Sequence, residues 1–390
     1  MVFKRLIFDK NKCFLRDHCI IRSQGCNLPP VLVLNDISLV QFRNYLQREF
    51  SFSERVIGIC GRNGTGKTNL LDAIYYLSFS RSYLSRPDSQ NVHHGSQGMR
   101  LEGRYYLDGT AHTVSCVLRE NNRKEMALDG LEYKKFSDHI GKLPAVMIAP
   151  DDVLLITGGS EERRKFLDTL LSQLNKEYLH NLIDYTRLLQ QRNSLLKRAA
   201  ETGQMDESLL DVLNGQLLEK GNYIFKHRRE FLAGFLRRTG DIYRRIAGGD
   251  DGLALAYDSQ LLYGEFESLL KNSRQKDMQL QRTNVGIHRD DLQFLMDMVP
   301  FKSEASQGQR KSLLFALKLA EWQTLQEQKG FTPILLLDDV FEKLDEQRMS
   351  QLLHWVCTES DGQVFITDTH HDRLKKQLEE LGMGFQLIEL

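Results

Sequence analysis

The segment from Val56 to Ile74, VIGICGRNGTGKTNLLDAI, constrains the fold of this chain more than any other. Its first five residues are apolar and predict a buried strand, and its last six carry leucine and isoleucine at helical spacing. Between strand and helix stands GRNGTGKT, which has the spacing G-x-x-x-x-G-K-[ST] of a phosphate-binding P-loop. The predicted loop consists of Gly61, Arg62, Asn63, Gly64, Thr65, Gly66, Lys67 and Thr68.

The residue types in this loop suit a chain of phosphates. Glycines permit backbone torsions that turn successive N–H groups inward, and the start of the following helix adds partial positive charge. We expect Lys67 to lie at the surface and to reach the β- and γ-phosphates, and we expect the Thr68 hydroxyl to ligate magnesium. The sequence therefore predicts a site for a nucleoside triphosphate with Mg²⁺.

A second motif, ILLLDD from Ile334 to Asp339, predicts an apolar strand that ends in two carboxylates. P-loop enzymes hold their magnesium with an acidic residue at the end of a core strand, and Asp338 has this position. Asp339 is expected to orient or deprotonate the attacking water. Lys67 and Asp339 are thus the predicted catalytic residues, and Thr68 and Asp338 are the predicted metal ligands.

A short motif, SQGQ, stands directly before a helical pattern of leucines. A serine in that position is usually only a helix N-cap. Here the glycine leaves backbone N–H groups open, and the start of a helix attracts phosphate. We therefore predict a second phosphate-binding element, which consists of Ser306, Gln307, Gly308 and Gln309.

The middle of the chain changes to helical periodicity. From Glu161 to Leu189 apolar residues recur every three or four positions, which predicts one long helix. Residues 201–206 interrupt the pattern, and a second amphipathic stretch runs from Leu210 to a stop at Gly248. Two helices of about 35 to 40 residues joined by a short loop predict an antiparallel arm, roughly 50 Å long.

This arm is inserted into an α/β domain. The predicted fold class is α/β, a P-loop ATPase head with a strand-rich lobe and an inserted short antiparallel helical arm. The lobe is predicted to contain a hairpin within 31–52 and hairpin turns at Asp108-Gly109 and Asp129-Gly130. The predicted domains are an extension at 1–30, a head formed by 31–160 and 250–390, and an arm at 161–249.

The extension at 1–30 differs in character from the rest of the chain. It is basic, has no clear periodicity and ends at Pro29-Pro30, and its apolar run is too short for the core of a signal peptide. Cys13, Cys19 and Cys26 leave a metal site open, but a flexible tail or a start codon assigned too far upstream fits the composition better. We expect this segment to be disordered.

Charge, hydropathy and cysteine content indicate the cellular compartment and the kinds of partner that this chain can have. The 52 basic and 52 acidic residues balance, so any contact with nucleic acid must be a local patch. No apolar run reaches the length of a membrane span, and the six cysteines show no CxxC spacing, which together predict a cytoplasmic protein without a membrane partner. The best candidates for phosphate contact are Arg81, Arg86, Arg163, Arg164, Arg237 and Arg238.

The motifs occur in an order that resembles a known family. The SQGQ run is similar to the signature of ATP-binding-cassette heads, and a helical insertion within such a head is similar to the chromosome-maintenance and break-repair ATPases. Together with FRNY at 42–45 and GIHRDD at 286–291, the short arm resembles the bacterial RecF family. The resemblance covers about residues 34–390, and four separate motifs stand in the order of that family.

This resemblance implies an ATP-dependent DNA clamp. Proteins of this family dimerise on ATP, with the signature of one subunit completing the nucleotide site of the other, and bind duplex DNA and gapped or junction DNA. They hydrolyse ATP slowly, stimulated by DNA, and act in DNA repair, DNA replication and the SOS response. With the mediators RecR and RecO they help to load the recombinase. Cassette ATPases also have a switch histidine, and the resemblance leaves open whether Asp368 or His370 has that role here.

Three other classes of protein share part of this pattern. A transporter cassette would have the same head, but the helical insertion argues against it. A small-molecule kinase would need neither the SQGQ run nor an arm. A GTPase would need an Asn-Lys-x-Asp motif after the P-loop, and the sequence has none.

Overall fold

The computed structural model describes residues 14–16, 19–21, 30–84, 87–340 and 346–390. These residues fall into two compact units. The first unit comprises Met1–Lys134, Gly330–Leu336 and Trp355–Leu390, and the second comprises Lys135–Lys329 and Leu337–His354. The two units do not coincide with the predicted head and arm, because the second unit contains the arm helices together with the segment around Asp338.

The secondary structure alternates between sheets and helices. The strands, in chain order, are β1 (Phe14–Arg16), β2 (Cys19–Ile21), β3 (Leu32–Phe42), β4 (Tyr45–Ser51), β5 (Val56–Cys60), β6 (Met99–Leu107), β7 (Thr110–Leu118), β8 (Lys124–Leu128), β9 (Leu131–Glu132), β10 (Ala145–Ile148), β11 (Leu253–Asp258), β12 (Asp291–Met296), β13 (Val299–Pro300), β14 (Ile334–Leu337), β15 (Val364–Asp368) and β16 (Gln386–Glu389). The α-helices are α1 (Lys67–Phe79), α2 (Leu154–Thr157), α3 (Ser160–Leu174), α4 (Lys176–Thr202), α5 (Glu207–Ala247), α6 (Phe266–Leu280), α7 (Phe301–Glu304), α8 (Gln307–Lys329), α9 (Glu346–Thr358) and α10 (His371–Glu380).

The first unit contains a sheet in which β5 lies between β15 and β16, with β14 on the far side of β15. Both β15 and β16 run parallel to β5. Every residue of β5, β14 and β15 is buried, which is typical of strands covered on both faces. The structure thus confirms the predicted strand before the P-loop and the predicted strand before Asp338.

A second sheet of the first unit is antiparallel and follows the order β4-β3-β6-β7-β8-β9. It confirms the hairpin within 31–52 and both predicted turns. In each turn the aspartate and the glycine have positive φ, with Asp108 at 48° and Gly109 at 81°. This pair of left-handed residues is the geometry that two-residue hairpins require.

Strands β1 and β2 form a two-stranded antiparallel sheet within the 1–30 extension, which the sequence did not predict. Two of the three cysteines that leave a metal site open, Cys13 and Cys26, lie outside the described residues. Among the helices that the structure describes, none is both long and apolar enough to cross a membrane.

The helical part of the second unit differs from the prediction in one respect. The first predicted arm helix is divided into α3 and α4 at Asn175, whose backbone is extended (φ −134°, ψ 110°). The Asn175 side chain accepts a hydrogen bond from the Tyr178 N–H at 3.0 Å, so it begins a new helix. The apolar periodicity continues through Asn175, so the sequence pattern predicts one helix there instead of two. Helix α6 was also not predicted.

The second predicted arm helix is confirmed as α5, which has 41 residues. It begins at an N-cap, because the Asp206 carboxylate accepts a hydrogen bond from the Leu209 N–H at 3.0 Å. It ends at Gly248, where φ is 78°. Strands β11 and β12 pair antiparallel beside it in the second unit.

Buried charge within helix α8 gives a stability prediction. Burial raises the pKa of the Glu321 carboxyl to about 7, against the opposing effect of the Lys318 ammonium. The unfolded chain releases this proton near pH 4.5, so between that pH and about 7 the folded protein binds more protons. Stability therefore falls as pH rises through this window.

We expect Glu321→Gln to remove that dependence. Relative to the native chain, the variant should gain about 2 to 3 kcal/mol of unfolding free energy between pH 4.5 and pH 8. Urea unfolding at four pH values measures the difference. The matched control is Glu327→Gln, at an exposed position of the same helix, and an equal gain in both variants would contradict the assignment.

Candidate nucleotide site

The P-loop connects β5 to α1 in the first unit. Gly61, Gly64 and Gly66 all have positive φ, at 154°, 84° and 115°. At Gly66 a side chain would also collide with its surroundings, because a Cβ would lie 2.6 Å from Asn44 Nδ2 and 2.7 Å from the Tyr45 hydroxyl oxygen. The loop thus needs glycine here both for its torsion angle and for close packing.

The turn between β3 and β4, which carries the FRNY motif, holds the P-loop from behind. Asn44 Nδ2 donates to the Thr65 carbonyl at 2.9 Å, and the Tyr45 hydroxyl donates to the Gly66 carbonyl at 3.0 Å. Asn69 of α1 donates in turn to Asn44 Oδ1 at 2.7 Å. In a trans peptide the N–H points away from the C=O. The turn therefore fixes the direction in which the next N–H groups of the loop point.

Burial keeps the Tyr45 hydroxyl, which supports the loop, in its protonated form. It raises the pKa of the Tyr45 hydroxyl to about 12, which nearby Arg48 only partly offsets. Tyr45 is consequently protonated at neutral pH and donates to Gly66 throughout the physiological range. In the sequence, FRNY is recognisable only as a family motif. No spacing rule connects Asn44 and Tyr45 to a loop about 20 residues further along the chain.

Lys67 differs from the expectation that it lies at the surface. It is only 6% exposed, and its ammonium donates to the Gly61 carbonyl at 2.7 Å and to the Arg62 carbonyl at 3.1 Å. The side chain therefore folds back onto the first two residues of the loop instead of projecting into solvent. Its charge nonetheless stands among the backbone groups that a phosphate would approach.

Behind the P-loop, a buried ionic cluster anchors α1. Arg43 Nε donates to Asp72 at 3.0 Å, and Arg43 Nη2 donates to the Ser82 hydroxyl at 3.0 Å. The Tyr83 N–H donates to the same carboxylate at 2.7 Å. Burial raises the pKa of Asp72, and the Arg43 charge opposes that rise. Residues outside the P-loop motif thus support the loop and its helix: Asn44 and Tyr45 hold the loop, and Arg43, Ser82 and Tyr83 hold Asp72 of α1.

The two predicted acidic residues lie in the second unit. The Asp338 N–H donates to the Ile148 carbonyl at 2.8 Å, and Asp338 is 3% exposed. Asp339 adopts a left-handed conformation, with φ at 51°, which aspartate tolerates better than most residues. Asp338 also lines a cavity of about 280 Å³, and Gln307 of the SQGQ run lines the same cavity. The structure thus brings one signature residue and one predicted metal ligand to one cavity.

The SQGQ run forms a capping box at the start of α8. The Ser306 hydroxyl accepts from the Gln309 N–H at 3.2 Å, and Gln309 Oε1 accepts from the Ser306 N–H at 2.8 Å. Ser306 and Gln307 are exposed. Gly308 lies under Arg348, since a Cβ there would lie 2.9 Å from the Arg348 Nη1. The run therefore caps helix α8 and also leaves the start of that helix exposed.

The GIHRDD motif packs among the arm helices. At Gly286, where φ is 130°, a Cβ would lie 2.5 Å from the Tyr185 hydroxyl oxygen. His288 Nε2 donates to the Thr283 carbonyl at 3.1 Å, so its Nδ1 accepts from the Tyr185 hydroxyl at 2.8 Å. Burial lowers the pKa of His288 to about 4, so it is neutral at physiological pH. In this unit the motif serves as a packing junction.

The structure separates the candidate arginines by their contacts. Arg163 is 9% exposed and pairs with Asp291 at 2.6 Å, and Arg164 donates to the Asp290 carbonyl at 2.7 Å. Arg238 pairs with Glu327 at 2.6 Å. Arg81 is half-buried and Arg237 is exposed, whereas Arg86 lies outside the described residues. Sequence alone could not make this distinction, because the partners Asp291, Asp290 and Glu327 lie far along the chain from the arginines that they contact.

At the end of β15 the two candidates for the switch role differ. Asp368 is fully buried, and Arg373 donates to its carboxylate at 2.8 Å from Nε and 2.5 Å from Nη2. His370 is exposed. A carboxylate held by a bidentate arginine is poorly suited to changing partners. This contrast favours His370 for the role.

Comparison with known proteins gives one consistent result. A family model described as the RecF/RecN/SMC N-terminal domain matches residues 33–386. The chain is 40% identical over 357 residues to the DNA replication and repair protein RecF of Flavobacterium johnsoniae, which spans 92% of this chain and 99% of that protein. It is 41% identical over 359 residues to the same protein of Phocaeicola vulgatus, with 92% and 96% covered.

Solved structures agree with these relatives. A structure of the recombination mediator protein RecF with ATP, in the RecFOR pathway, matches with a TM-score of 0.81 and 30% identity, over 90% of this chain and 94% of that chain. The Smc head domain from Pyrococcus furiosus matches with a TM-score of 0.50 and 15% identity, over 89% and 92%, which supports the fold alone. The predicted ATPase-head fold class is confirmed. With close relatives along nearly its whole length and a solved relative of the same fold, the chain belongs to the RecF family.

Proposed function

We propose that this chain is an ATPase that acts on DNA in the repair and replication of gapped chromosomes. The observation that carries the proposal is the P-loop, in which Asn44 and Tyr45 hold the Thr65 and Gly66 carbonyls and the Lys67 ammonium lies against the Gly61 and Arg62 carbonyls. This arrangement fits a phosphate chain better than any other ligand. The solved relative was determined with ATP, so ATP is the proposed nucleotide.

Each predicted residue has one proposed role. Gly61 to Thr68 bind the phosphates, with Lys67 on the β- and γ-phosphates. Thr68 and Asp338 are the proposed Mg²⁺ ligands, because hydroxyl and carboxylate oxygens are the donors that this hard cation prefers. Bound magnesium would neutralise charge on the phosphates. Asp339 is the proposed residue that orients the attacking water.

The proposed reaction cycle follows the family. ATP would join two copies of the chain, with Ser306 to Gln309 of one copy completing the nucleotide site of the other. The dimer would hold duplex DNA next to a gap or junction, and slow, DNA-stimulated hydrolysis would release it. RecR and RecO are the proposed mediator partners in recombinase loading, since the solved relative belongs to the RecFOR pathway.

Arg81 and Arg164 remain proposed DNA contacts, and so does Arg86, which lies outside the described residues. Arg81 and Arg164 are half-buried and can still present one side to a phosphate. We withdraw Arg163 and Arg238, because each pairs with a carboxylate of its own unit. Arg237 is exposed and lines a groove beside β11.

The test of this function is ATP turnover with and without gapped DNA. We expect gapped DNA to raise the turnover rate, and we expect Lys67→Ala to weaken ATP binding about 10- to 100-fold, since a charge-assisted hydrogen bond contributes about 1.5 to 3 kcal/mol. Calorimetry measures the binding. Wild-type affinity in Lys67→Ala would contradict the site, and turnover indifferent to DNA would favour the alternative, an ABC-type subunit of another complex such as a transporter cassette.

Support of the P-loop by the FRNY turn gives a separate prediction. Asn44→Ala removes two hydrogen bonds, so we expect the ATP dissociation constant to rise about 5- to 150-fold, at about 0.5 to 1.5 kcal/mol for each bond. Tyr45→Phe removes one and should raise it about 2- to 10-fold. The matched control is Gln47→Ala, at an exposed position of β4. If all three variants bind ATP alike, the turn does not position the loop.

A further inference from the structure

A groove of about 470 Å³ lies in the second unit between helix α5 and the strand β11. Three arginines of α5, Arg229, Arg237 and Arg244, line it together with the small residues Ala233 and Gly240. Because these five positions are three or four residues apart, they share one face of the helix. The small residues leave gaps between the arginines, and these gaps open the groove.

The floor of the groove is apolar. It is lined by leucines of α5, by Leu253 and Leu255 of β11, and by Tyr257 and Leu262. Leu262 is 41% exposed, and the adjacent Tyr263 is 83% exposed. Every lining residue other than the arginines is apolar, aromatic or glycine, so no carboxylate lines this groove.

The three arginines are only partly engaged within the chain. Arg229 stacks over the Phe225 ring, with 5.5 Å from its guanidinium carbon to the ring centroid, and Arg244 pairs with Asp241 of the same turn. Arg237 stands between them, exposed, and makes no ion pair with any residue that the structure describes. The groove therefore carries positive charge beside an apolar floor.

This combination identifies the chemistry of an occupant. A nucleic-acid backbone would pair with the arginines but would leave the apolar floor in contact with phosphates and water. The composition of the groove instead matches that of interfaces between proteins, which are enriched in arginine and aromatic side chains and depleted in lysine. From Arg229 to Arg244 the groove is roughly 22 Å long at 1.5 Å per residue, which accommodates about seven residues of extended chain.

We propose that this groove docks an acidic, apolar segment of a partner protein. Carboxylates of the segment pair with Arg229, Arg237 and Arg244, and its apolar side chains pack on the floor between α5 and β11. The docking surface is independent of the proposed ATPase site, so it can be present or absent whatever the nucleotide chemistry proves to be. Its binding should weaken with salt, because exposed ion pairs are screened.

The test uses random 12-residue peptides displayed on phage and selected on the full chain. We expect the selected peptides to carry at least about three times the aspartate and glutamate content of the unselected library, interspersed with leucine or aromatic residues. Synthetic copies, measured by fluorescence anisotropy, should bind Arg229→Glu/Arg237→Glu at least tenfold more weakly. A second variant, Ala233→Trp, fills the groove without changing charge and should also lose binding.

The matched control is Arg245→Glu, an exposed arginine of α5 that does not line the groove. It should bind the peptides as the native chain does, and circular dichroism checks that every variant is folded. The proposal is overturned if no peptide is enriched, if the enriched peptides are not acidic, or if they bind the double variant equally. It is also overturned if the double variant loses duplex DNA binding tenfold while peptide binding is unchanged.

Discussion

Replacing Arg228 with methionine is expected to lower the free energy of unfolding by about 3 to 5 kcal/mol, as when one partner of a buried ion pair is removed. Arg228 is 1% exposed, and its guanidinium donates to Asp290 at 2.7 Å and to Asp168 at 2.7 Å. It also donates to the Ile287 carbonyl at 2.8 Å and to the Tyr178 hydroxyl at 3.0 Å. Methionine fills a similar volume but leaves both carboxylates without their cation.

The neighbouring residue supplies the control. Arg229 is exposed, so Arg229→Met should change the free energy of unfolding by no more than about 0.5 kcal/mol. Urea unfolding followed by circular dichroism measures both variants. A loss of less than about 1 kcal/mol for Arg228→Met, or equal losses for the two variants, would contradict the assigned role.

The same variant should show a dependence on pH. Burial raises the pKa of Asp290 even with the Arg228 charge beside it, and without that charge the pKa rises further. Such a carboxyl can be buried in its neutral form at low pH but not at neutral pH. The difference in stability between Arg228→Met and the native chain should therefore be smaller at pH 4.5 than at pH 7.5.

These adjacent arginines show where sequence reasoning succeeds and where it ends. The P-loop, the strand that leads to Asp338 and the helix α5 are local patterns, in which period and spacing determine the structure. Whether Arg228 or Arg229 faces the interior depends on Asp168 and Asp290, which lie about 60 residues away in the chain in either direction. No local pattern contains that information.

Two other differences have the same origin. Asn175 interrupts a helix whose apolar periodicity continues through the break, because one side chain caps the Tyr178 N–H. Lys67 is buried rather than exposed because its ammonium donates to the Gly61 and Arg62 carbonyls, and Asn44 and Tyr45 support the loop from the turn between β3 and β4. Local chemistry at Asn175 was available in the sequence, since asparagine favours N-caps. The contact between FRNY and the P-loop required the fold.

The second large effect is expected at Ser306, if the signature run of one subunit completes the nucleotide site of another. Ser306 is exposed at the start of α8, where its hydroxyl caps the Gln309 N–H at 3.2 Å. Ser306→Arg places a bulky side chain where the partner's phosphate would bind. We expect the ATP-dependent dimer to dissociate about 1000-fold more readily, which corresponds to about 4 kcal/mol. Each monomer should still bind ATP.

Two further substitutions separate this effect from simple loss of the helix cap. Ser306→Asp retains a capping oxygen but brings a negative charge toward the phosphate, so it should preserve stability and abolish the dimer. Ser306→Ala removes the cap, at a loss of about 1 kcal/mol in stability, but adds neither bulk nor charge, so its dimer should weaken far less. Sedimentation with ATP and with ADP measures dimerisation, and thermal unfolding measures the cap.

Asp339→Asn tests the same assembly from the opposite direction. The amide is a poorer base but similar in size, so hydrolysis should slow while Asp338 remains available for magnesium. A ligand stabilises the state that binds it better, so slower hydrolysis should prolong the ATP-bound dimer and its complex with DNA. If Ser306→Arg and Ser306→Asp both dimerise with ATP as the native chain does, the signature run does not complete a partner's site. Asp339→Asn would then leave the lifetime of the DNA complex unchanged.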